Sequence, residues 1–309
     1  MKTVYHNFNS NSKINRFSNS NKTISLGKGQ LINGDCIEVM KLLSEESVDL
    51  LVCSPPYNVN IKYDYCNDSL MMEDYWSWTE SWLKEAVRLL KKDGRVAINI
   101  PFQINSKERG GRVLFLAEFY NIFRKVGLNF FGLIDLTEIS AHRSKTTAWG
   151  SWMSCSQPYI CNPKECVLLG YKESPKKLSK GECEWGIQSV EMNPSSQKSK
   201  KVYSEMDKKE FMDLVFGQWK YSADTRPLTI ATFSEDIPSK AIKILTYKGD
   251  VVLDCFSGSG TTAICADKLD RNWIGIELSP NYYEISVNRI SENLNDSKSN
   301  DCASLQEAS

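Results

Sequence analysis

The amino-acid sequence predicts an α/β fold in which helices cover both faces of a doubly wound, mostly parallel sheet. From residue 29 to residue 294, short apolar segments of strand length alternate with segments of helical periodicity, which is typical of parallel sheets. A second observation is a β-α-β unit near residue 254, with glycines between its first strand and its helix. At 309 residues the chain is at the upper end of one α/β domain, so we expect one domain with an insertion.

The first half of the sheet is predicted between residues 29 and 171. Strands are predicted at 30–33, 48–53, 95–101, 130–136 and 165–171, and helices at 36–43, 72–92 and 111–127. Lys91 and Lys92 would form a basic last turn of the second helix, and Gly94 would end it. The aromatic residues of 72–92 recur at helical spacing, and we assign them to packing.

The second half begins at Asp236, with a helix, a strand at 251–254, a helix at 261–269, a strand at 273–277 and a helix at 280–294. Gly258 and Gly260 would let a ligand approach the backbone, and the following helix offers unpaired N–H groups. Glu277 ends the second strand of the unit and could accept both hydroxyls of a ribose. These features predict a nucleotide-type cofactor site.

A turn of five residues, Ser54-Pro55-Pro56-Tyr57-Asn58, follows the apolar run 48–53. It should lie at the carboxyl end of a buried strand, where open α/β sheets bind ligands. Ser54 and a proline carbonyl could accept the N–H bonds of an exocyclic amine, and Tyr57 could stack on the base. An ordinary Pro-Pro loop is the alternative interpretation. Asp35 would lie at the same sheet edge, either as a helix N-cap or as a carboxylate facing the ligands.

Composition excludes several classes of protein. Lysine and arginine total 38, as do aspartate and glutamate, so nucleic acid would have to bind at a local basic face. Ten cysteines without a CxxC pair, several of them in apolar runs (Cys53, Cys166, Cys255), predict buried thiols of a cytosolic protein. With only two histidines, a zinc site is not expected. Neither a signal peptide nor an apolar stretch of membrane-spanning length is expected.

The glycine segment alone leaves two cofactors open. Residues 258–263 fit the dinucleotide pattern GxGxxG/A, so a nicotinamide enzyme is an alternative. That interpretation leaves the Ser54–Asn58 turn unexplained. S-adenosylmethionine also requires an acid for its ribose and a backbone nest for its methionine end.

Together, the motifs SPPYN (54–58), DCFSGSGTT (254–262) and IGIE (274–277) resemble those of the amino-methyltransferases of DNA, which methylate N4 of cytosine or N6 of adenine. The catalytic motif precedes the cofactor motif, as in the circularly permuted β group of that family. The similarity covers residues 29–292 and includes the Trp149–Trp152 loop, Glu165 and the Tyr282–Ile285 segment. The chain departs from the family at Cys255, where proline is frequent, and at 229–233.

The resemblance implies a fold, a cofactor and a set of sites. The fold would be the Rossmann-like fold of S-adenosyl-L-methionine-dependent methyltransferases, and the partner double-stranded DNA. The implied catalytic residues are Ser54, Pro55, Pro56 and Tyr57, and the implied cofactor-binding residues are Asp35, Phe233, Asp254, Phe256, Gly258, Gly260, Thr261 and Glu277, with no metal. The implied organisation is a mobile arm (1–25), a catalytic half (26–171), a target-recognition insertion (172–227), a cofactor-binding half (228–294) and a C-terminal tail (295–309).

A serine at the first position of the motif goes more often with N4-cytosine in this family, so cytosine is favoured. The base would be flipped out of the duplex and methylated by direct in-line displacement. A C5-cytosine enzyme would need a Pro-Cys dipeptide, which the chain lacks. N6-adenine specificity and a non-catalytic cofactor-binding regulator stay open, and RNA or protein glutamine as acceptor ranks lower. The family's usual setting is a restriction-modification system in a bacterial cytoplasm, with a possible cognate restriction endonuclease.

Overall fold

A computed structural model describes residues 22–61, 68–106, 111–138, 155–156, 164–178, 181, 190–192, 199–201, 208–222 and 233–307. Its strands are β1 (Thr23–Leu26), β2 (Gly29–Asn33), β3 (Val48–Cys53), β4 (Leu90–Pro101), β5 (Ile104–Ser106), β6 (Gly111–Val113), β7 (Asn129–Glu138), β8 (Glu165–Tyr171), β9 (Val190–Met192), β10 (Ser199–Lys201), β11 (Gln218–Tyr221), β12 (Val251–Asp254) and β13 (Asn272–Glu277). Its helices are α1 (Cys36–Leu42), α2 (Met72–Leu89), α3 (Phe115–Lys125), α4 (Lys208–Val215), α5 (Asp236–Leu245), α6 (Thr261–Lys268) and α7 (Pro280–Glu307).

Nine of the described strands form one sheet, in the order β1-β2-β13-β12-β3-β4-β8-β7-β11. The five strands from β2 to β4 in this order are parallel, β11 is parallel to β7, and β1 and β8 run against their neighbours. The predicted mostly parallel α/β fold is therefore confirmed. β12 lies beside β3, so the two halves of the chain meet in the middle of the sheet.

Both faces of the sheet are covered by helices, as expected of a doubly wound fold. All six residues of β3 are buried, which explains its continuous apolar sequence. Leu51 and Cys53 pack in the same core cluster as residues of α1, α2 and α3, whereas Leu50 and Val52 pack with residues of α5, α6 and α7. Successive side chains of one strand thus serve opposite faces.

The predicted end of the second helix is wrong. α2 ends at Leu89, and residues 90–94 belong to β4. The strand starts early because Leu90 pairs with Val48 of β3, with a register shift before Arg95. Lys91 also forms an ion pair with Asp49 of β3 at 2.7 Å. These contacts with β3 override the local helix signal.

Other predicted boundaries also move. β1 includes residues 23–25, which the sequence assigned to the arm. Residues 111–113 pair with β5 as a hairpin, so α3 begins only at Phe115. α7 continues through the predicted tail to Glu307, because no glycine or proline interrupts it after Leu294.

The insertion 172–227 is described only in part. Within it, β11 joins the main sheet beside β7. The first 21 residues and the Trp149–Trp152 loop lie outside the described residues. None of the described helices combines the length and apolarity needed to cross a membrane.

Candidate active site

The carboxyl ends of β2, β13, β12 and β3 lie side by side, because these strands are parallel neighbours. The segments that leave them line one cavity of about 660 Å³. Every site residue predicted from the sequence lines this cavity except Gly260; these residues are Asp35, Ser54, Pro55, Pro56, Tyr57, Phe233, Asp254, Phe256, Gly258, Thr261 and Glu277. The cavity therefore joins the two predicted motifs, which are 200 residues apart in the chain (54 and 254).

Two buried carboxylates stand at the cofactor end of the cavity. Glu277 accepts hydrogen bonds from the backbone N–H of Gly258 and of Ser279, both at 2.8 Å. Burial raises its pKa to about 7, even though these N–H groups oppose the shift. Asp254 accepts from the backbone N–H of Phe256 at 3.0 Å, and burial raises its pKa to about 6. Both acids are thus available to bind hydroxyl donors or a cationic ligand.

The turn between β12 and α6 is open where a ligand would approach. Gly258 has φ of +53°, and the nearest contact that a Cβ there would meet is the Phe256 carbonyl oxygen, at 3.9 Å. A side chain at this position would extend into the space that a cofactor needs. Thr261, the first residue of α6, brings the helix N-terminus to the cavity. The arrangement fits the methionine end of S-adenosylmethionine, which carries a carboxylate.

Gly260 has a different position from the one predicted. It has φ of +79°, and a Cβ there would lie 2.9 Å from Ile290 Cδ1 of α7. This glycine therefore allows the turn to pack against α7 rather than facing the cavity. Two further residues of α7 hold the same turn: Ser286 Oγ donates to the Gly258 carbonyl oxygen at 2.6 Å, and Arg289 donates to Thr261 Oγ1 at 2.7 Å.

Asp35 caps a helix and also lines the cavity. Its Oδ1 accepts from the backbone N–H of Ile37 at 2.9 Å and of Glu38 at 3.1 Å, so it is the N-cap of α1. Phe256 also lines the cavity, and its ring contacts Trp82 edge to face, with centroids 5.1 Å apart.

The Ser54–Asn58 turn forms the other end of the cavity. Ser54 Oγ lies 2.7 Å from the Tyr57 hydroxyl oxygen, and that hydroxyl donates to the backbone oxygen of Asn99 at 3.2 Å. The Tyr57 ring meets Phe115 edge to face. Tyr75 Oη donates to the carbonyl oxygen of Pro56 at 2.8 Å. The turn is therefore fixed on both sides of the prolines.

The segment after the turn is held by a carboxylate that the sequence did not suggest. Asp68 accepts from the backbone N–H groups of Asn58, Val59 and Ile61, at 2.7, 3.0 and 2.9 Å. Asn58 adopts φ of +59°, and its side chain exchanges hydrogen bonds with the backbone of Leu70. These contacts place the apolar residues Val59, Ile61 and Leu70 on the cavity wall.

Two other polar residues of the site were not assigned a role from the sequence. Asn99 is the polar residue within the apolar end of β4, and its Nδ2 donates to Tyr57 Oη at 3.0 Å and to Glu165 Oε2 at 2.7 Å. Glu165 begins β8 and reaches this edge because β8 is antiparallel. A buried polar residue in an otherwise apolar strand was the available signal for Asn99.

The cavity therefore has two chemically different ends. One end offers the carboxylates of Asp254 and Glu277, backbone N–H groups and a helix N-terminus. The other offers the neutral oxygens of the Ser54–Asn58 turn and aromatic rings, beside the carboxylates of Asp68 and Glu165, which accept from the turn and from Asn99. Such a site can hold a hydroxyl-bearing, partly charged cofactor next to a flat base with an exocyclic amine. The described residues contain no cluster of histidine, cysteine, aspartate and glutamate that could hold a metal.

The glycine turn after β12 and the acid at the end of β13 share one cavity with the Ser54–Asn58 turn, and together with the doubly wound sheet this combination is that of a domain of the methyltransferase class. More specifically, the chain belongs to the DNA methylase family of N6-adenine and N4-cytosine methyltransferases, whose family model matches residues 48–288. This confirms the resemblance found in the motifs. It also confirms S-adenosyl-L-methionine as the cofactor on which the family depends.

Individual relatives agree with this assignment. Type II methyltransferase M.MjaVI of Methanocaldococcus jannaschii is 39% identical over 196 residues, which are 63% of this chain and 87% of the relative. M.PvuII of Proteus hauseri is 25% identical over 307 residues, covering 89% of each chain.

Solved structures show the same fold. The PvuII DNA methyltransferase (cytosine-N4-specific) superposes with a TM-score of 0.61 at 19% identity, over 88% of this chain and 93% of that one. A DNA modification methylase of Thermus thermophilus, crystallised with S-adenosyl-L-methionine, also has a TM-score of 0.61, at 23% identity, over 84% of this chain and 92% of that one.

Proposed function

We propose that this DNA amino-methyltransferase transfers the methyl group to N4 of cytosine at a specific site in duplex DNA. The observation that carries the proposal is the neutral hydroxyl at the head of the base-binding turn: Ser54 Oγ, 2.7 Å from Tyr57 Oη. A carboxylate at this position would give the target amine a charged acceptor, which would favour N6 of adenine. Serine offers a weaker, uncharged acceptor, which favours cytosine over adenine.

The methionine portion and the ribose of the cofactor would contact different residues. The methionine portion would contact Phe256, Gly258 and Thr261, and Glu277 would accept the ribose hydroxyls. Phe233, Asp254 and Asp35 also line this part of the cavity; Phe233 would face the adenine, and Asp35 would lie between the cofactor and the base. Gly260 would act indirectly, by letting the turn pack on α7.

When bound, S-adenosyl-L-methionine supplies an electrophilic methyl group. The exocyclic amine is a weak nucleophile because its lone pair is delocalised into the ring. Ser54 Oγ and the Pro55 carbonyl would accept its two N–H bonds and favour the pyramidal form, with the lone pair directed at the methyl group. We choose Pro55 because the Pro56 carbonyl already accepts from Tyr75.

Hydrogen-bond direction supports Ser54 as the acceptor. A phenol has one proton, and Tyr57 donates it to the backbone oxygen of Asn99. In that arrangement Ser54 is the donor in its bond to Tyr57, so its lone pairs are left for the amine of the base. No covalent enzyme intermediate is required, and the buried Cys53 serves strand packing.

Duplex DNA would reach the site only with its target base flipped out, at a cost of about a few kcal/mol. The insertion 172–227 would read the DNA sequence, and its lysines other than Lys177, which is buried in ion pairs with Asp49 and Asp250, would contact the phosphates. The similarity to type II methyltransferases, several of them from bacteria, supports a restriction-modification setting in a bacterial cytoplasm, where a cognate endonuclease is a possible partner. N6-adenine is the second candidate base, because the family includes both specificities.

The test is transfer of tritiated methyl groups to unmodified bacterial DNA by the wild type, Ser54→Ala and Tyr57→Ala. We expect both variants to lose at least about 100-fold in rate, because each removes a contact made in the transition state, while cofactor affinity is unchanged. A Ser54→Ala variant with the full rate would refute the role of Ser54. Cofactor binding by the wild type without transfer to DNA would instead support a non-catalytic regulator.

A further inference from the structure

A hydrogen-bonded pair, Asn99 and Glu165, lies behind the base-binding turn. Asn99 is only 4% exposed, and both residues line the cavity. They come from β4 and β8, which are adjacent and antiparallel, so the carboxyl end of one strand meets the amino end of the other. Neither residue is needed to explain the fold of the turn, which Tyr75 and Asp68 already hold.

The direction of this pair is fixed by charge. Asn99 Nδ2 lies 2.7 Å from Glu165 Oε2, and a carboxylate only accepts hydrogen bonds. The amide nitrogen, not its oxygen, must therefore face Glu165. The same nitrogen lies 3.0 Å from Tyr57 Oη, so it donates there as well.

This orientation has a cost. Asn99 Oδ1 is buried and has no hydrogen-bond partner among the described residues. A 180° rotation of the amide would place Oδ1 against the Glu165 carboxylate, where two acceptors repel. Glu165 thus holds the amide in an orientation that leaves one buried acceptor unpaired and directs the nitrogen to Tyr57.

We propose that Asn99 and Glu165 are positioning residues that make Ser54 a hydrogen-bond acceptor toward the target amine. Asn99 donates to the Tyr57 oxygen, and Tyr57 in turn gives its proton to the backbone oxygen of Asn99. The remaining lone pair of the Tyr57 oxygen takes the Ser54 proton, which turns the Ser54 lone pairs toward the base. The inference rests on the proposed amino-methyl transfer and names the groups that orient its acceptor.

The pair orients Ser54 but does not conduct a proton. Asn99 Nδ2 is a donor toward both Tyr57 and Glu165, so no acceptor connects the two along this path. Glu165 therefore acts by holding the Asn99 nitrogen toward Tyr57. A variant that restores the contact between positions 99 and 165 without a donor to Tyr57 should not recover the rate, and this provides the test.

Four variants are compared with the wild type in single-turnover methyl transfer to DNA, with cofactor affinity and thermal unfolding measured in parallel. Asn99→Asp places two carboxylates at hydrogen-bond distance and should slow transfer about 100-fold. Glu165→Ala should slow it about tenfold, because the amide loses its anchor. In the double variant Asn99→Asp with Glu165→Gln, the glutamine donates to the new carboxylate, but no donor faces the Tyr57 oxygen, so the rate should stay as low as that of Asn99→Asp alone. Glu173→Gln, an exposed change just beyond the other end of β8, is the matched control and should have no effect.

Cofactor affinity should stay within about twofold in all variants, because neither residue contacts the proposed cofactor groups. If wild-type protein transfers methyl groups while Asn99→Asp and Glu165→Ala retain the full rate, the positioning role is wrong and the proposed function stands. If the double variant recovers the wild-type rate, the donor at position 99 is not required and the positioning role is wrong. If the wild type transfers no methyl group to DNA, the proposed function and this inference both fail. Should Asn99→Asp unfold, the partly exposed Glu165→Ala still decides between these outcomes.

Discussion

The protonation of Glu277 should control cofactor affinity near neutral pH. Burial raises its pKa from 4.5 to about 7 in the cofactor-free protein. At about 1.4 kcal/mol per pH unit, keeping this carboxylate ionised costs about 3 kcal/mol. Ribose hydroxyls that donate to the carboxylate, and the nearby positive charge of the sulfonium, would stabilise the ionised form and lower the pKa again.

Proton linkage determines whether cofactor affinity rises or falls with pH. The free protein holds a proton at Glu277 below about pH 7, and cofactor binding releases it, so affinity rises with pH. At about pH 6 only about a tenth of the free molecules are ionised, and the dissociation constant should be about tenfold higher than at about pH 8. For the same reason the free energy of unfolding of the cofactor-free protein should fall as pH rises from 4.5 to about 7, since the folded state binds the proton more tightly.

Isothermal titration calorimetry of S-adenosyl-L-methionine across this pH range is the assay, in buffers of different ionisation enthalpy so that proton release is counted. Glu277→Gln should abolish the pH dependence near pH 7. It should also weaken binding by about 10- to 100-fold at about pH 8, because one of the backbone N–H groups of Gly258 and Ser279 loses its acceptor. Asp254→Asn is the comparison: it removes a negative charge that helps to raise the pKa of Glu277, so the pH-dependent step should remain but move to lower pH. An affinity of the wild type that does not change with pH would refute the reasoning.

Three further changes have defined outcomes. Gly260→Ala, with φ of +79° and a Cβ 2.9 Å from Ile290, should lower the free energy of unfolding by about 2–4 kcal/mol in urea titrations. The control Gly249→Ala, with φ of +82° and no atom within 4 Å of the Cβ, should lower it by only about 1 kcal/mol. Equal losses would show that the Ile290 contact is unimportant. Lys177→Met removes a buried partner of Asp49, 3.0 Å away, and should lower the free energy of unfolding by about 3 kcal/mol. Lys243→Met breaks a more exposed pair and should lower it by less than about 1 kcal/mol. A small effect of Lys177→Met would mean that Lys91 alone neutralises Asp49. Tyr57→Phe keeps the ring but loses the hydroxyl bonded to Ser54, so the methyl-transfer rate should fall about tenfold with unchanged cofactor affinity, and an unchanged rate would contradict the proposed acceptor network.

The fold class and most of the candidate site were predictable from local sequence. A fully apolar run such as 48–53 identifies a buried central strand, and the turns that follow parallel strands must meet at one edge of the sheet. Ser54, Glu277 and Gly258 could therefore be brought together without knowing any side-chain contact. The position of β12 beside β3, which brings the two halves of the chain together, was not predicted.

What could not be predicted depended on contacts between distant segments. The direction of β8 is not encoded in its own apolar pattern, and that direction places Glu165 at the base end of the cavity. The start of β4 at Leu90 is set by pairing with β3, against a local sequence that favours a helical turn. Gly260 was assigned to the cofactor because it lies in a glycine motif, but its close neighbour Ile290 is 30 residues away in the chain (260 and 290).

The neutral acceptor at Ser54 should direct methylation to the exocyclic amine of a flipped cytosine, and the identity of the methylated base tests this most directly. DNA methylated by the purified protein with labelled S-adenosyl-L-methionine should be hydrolysed to nucleosides and analysed by mass spectrometry against N4-methylcytosine and N6-methyladenine standards. We expect label in N4-methylcytosine, absent when Ser54→Ala replaces the wild type. Label in N6-methyladenine alone would contradict the assignment of the base from Ser54, and label in C5-methylcytosine would contradict the mechanism itself.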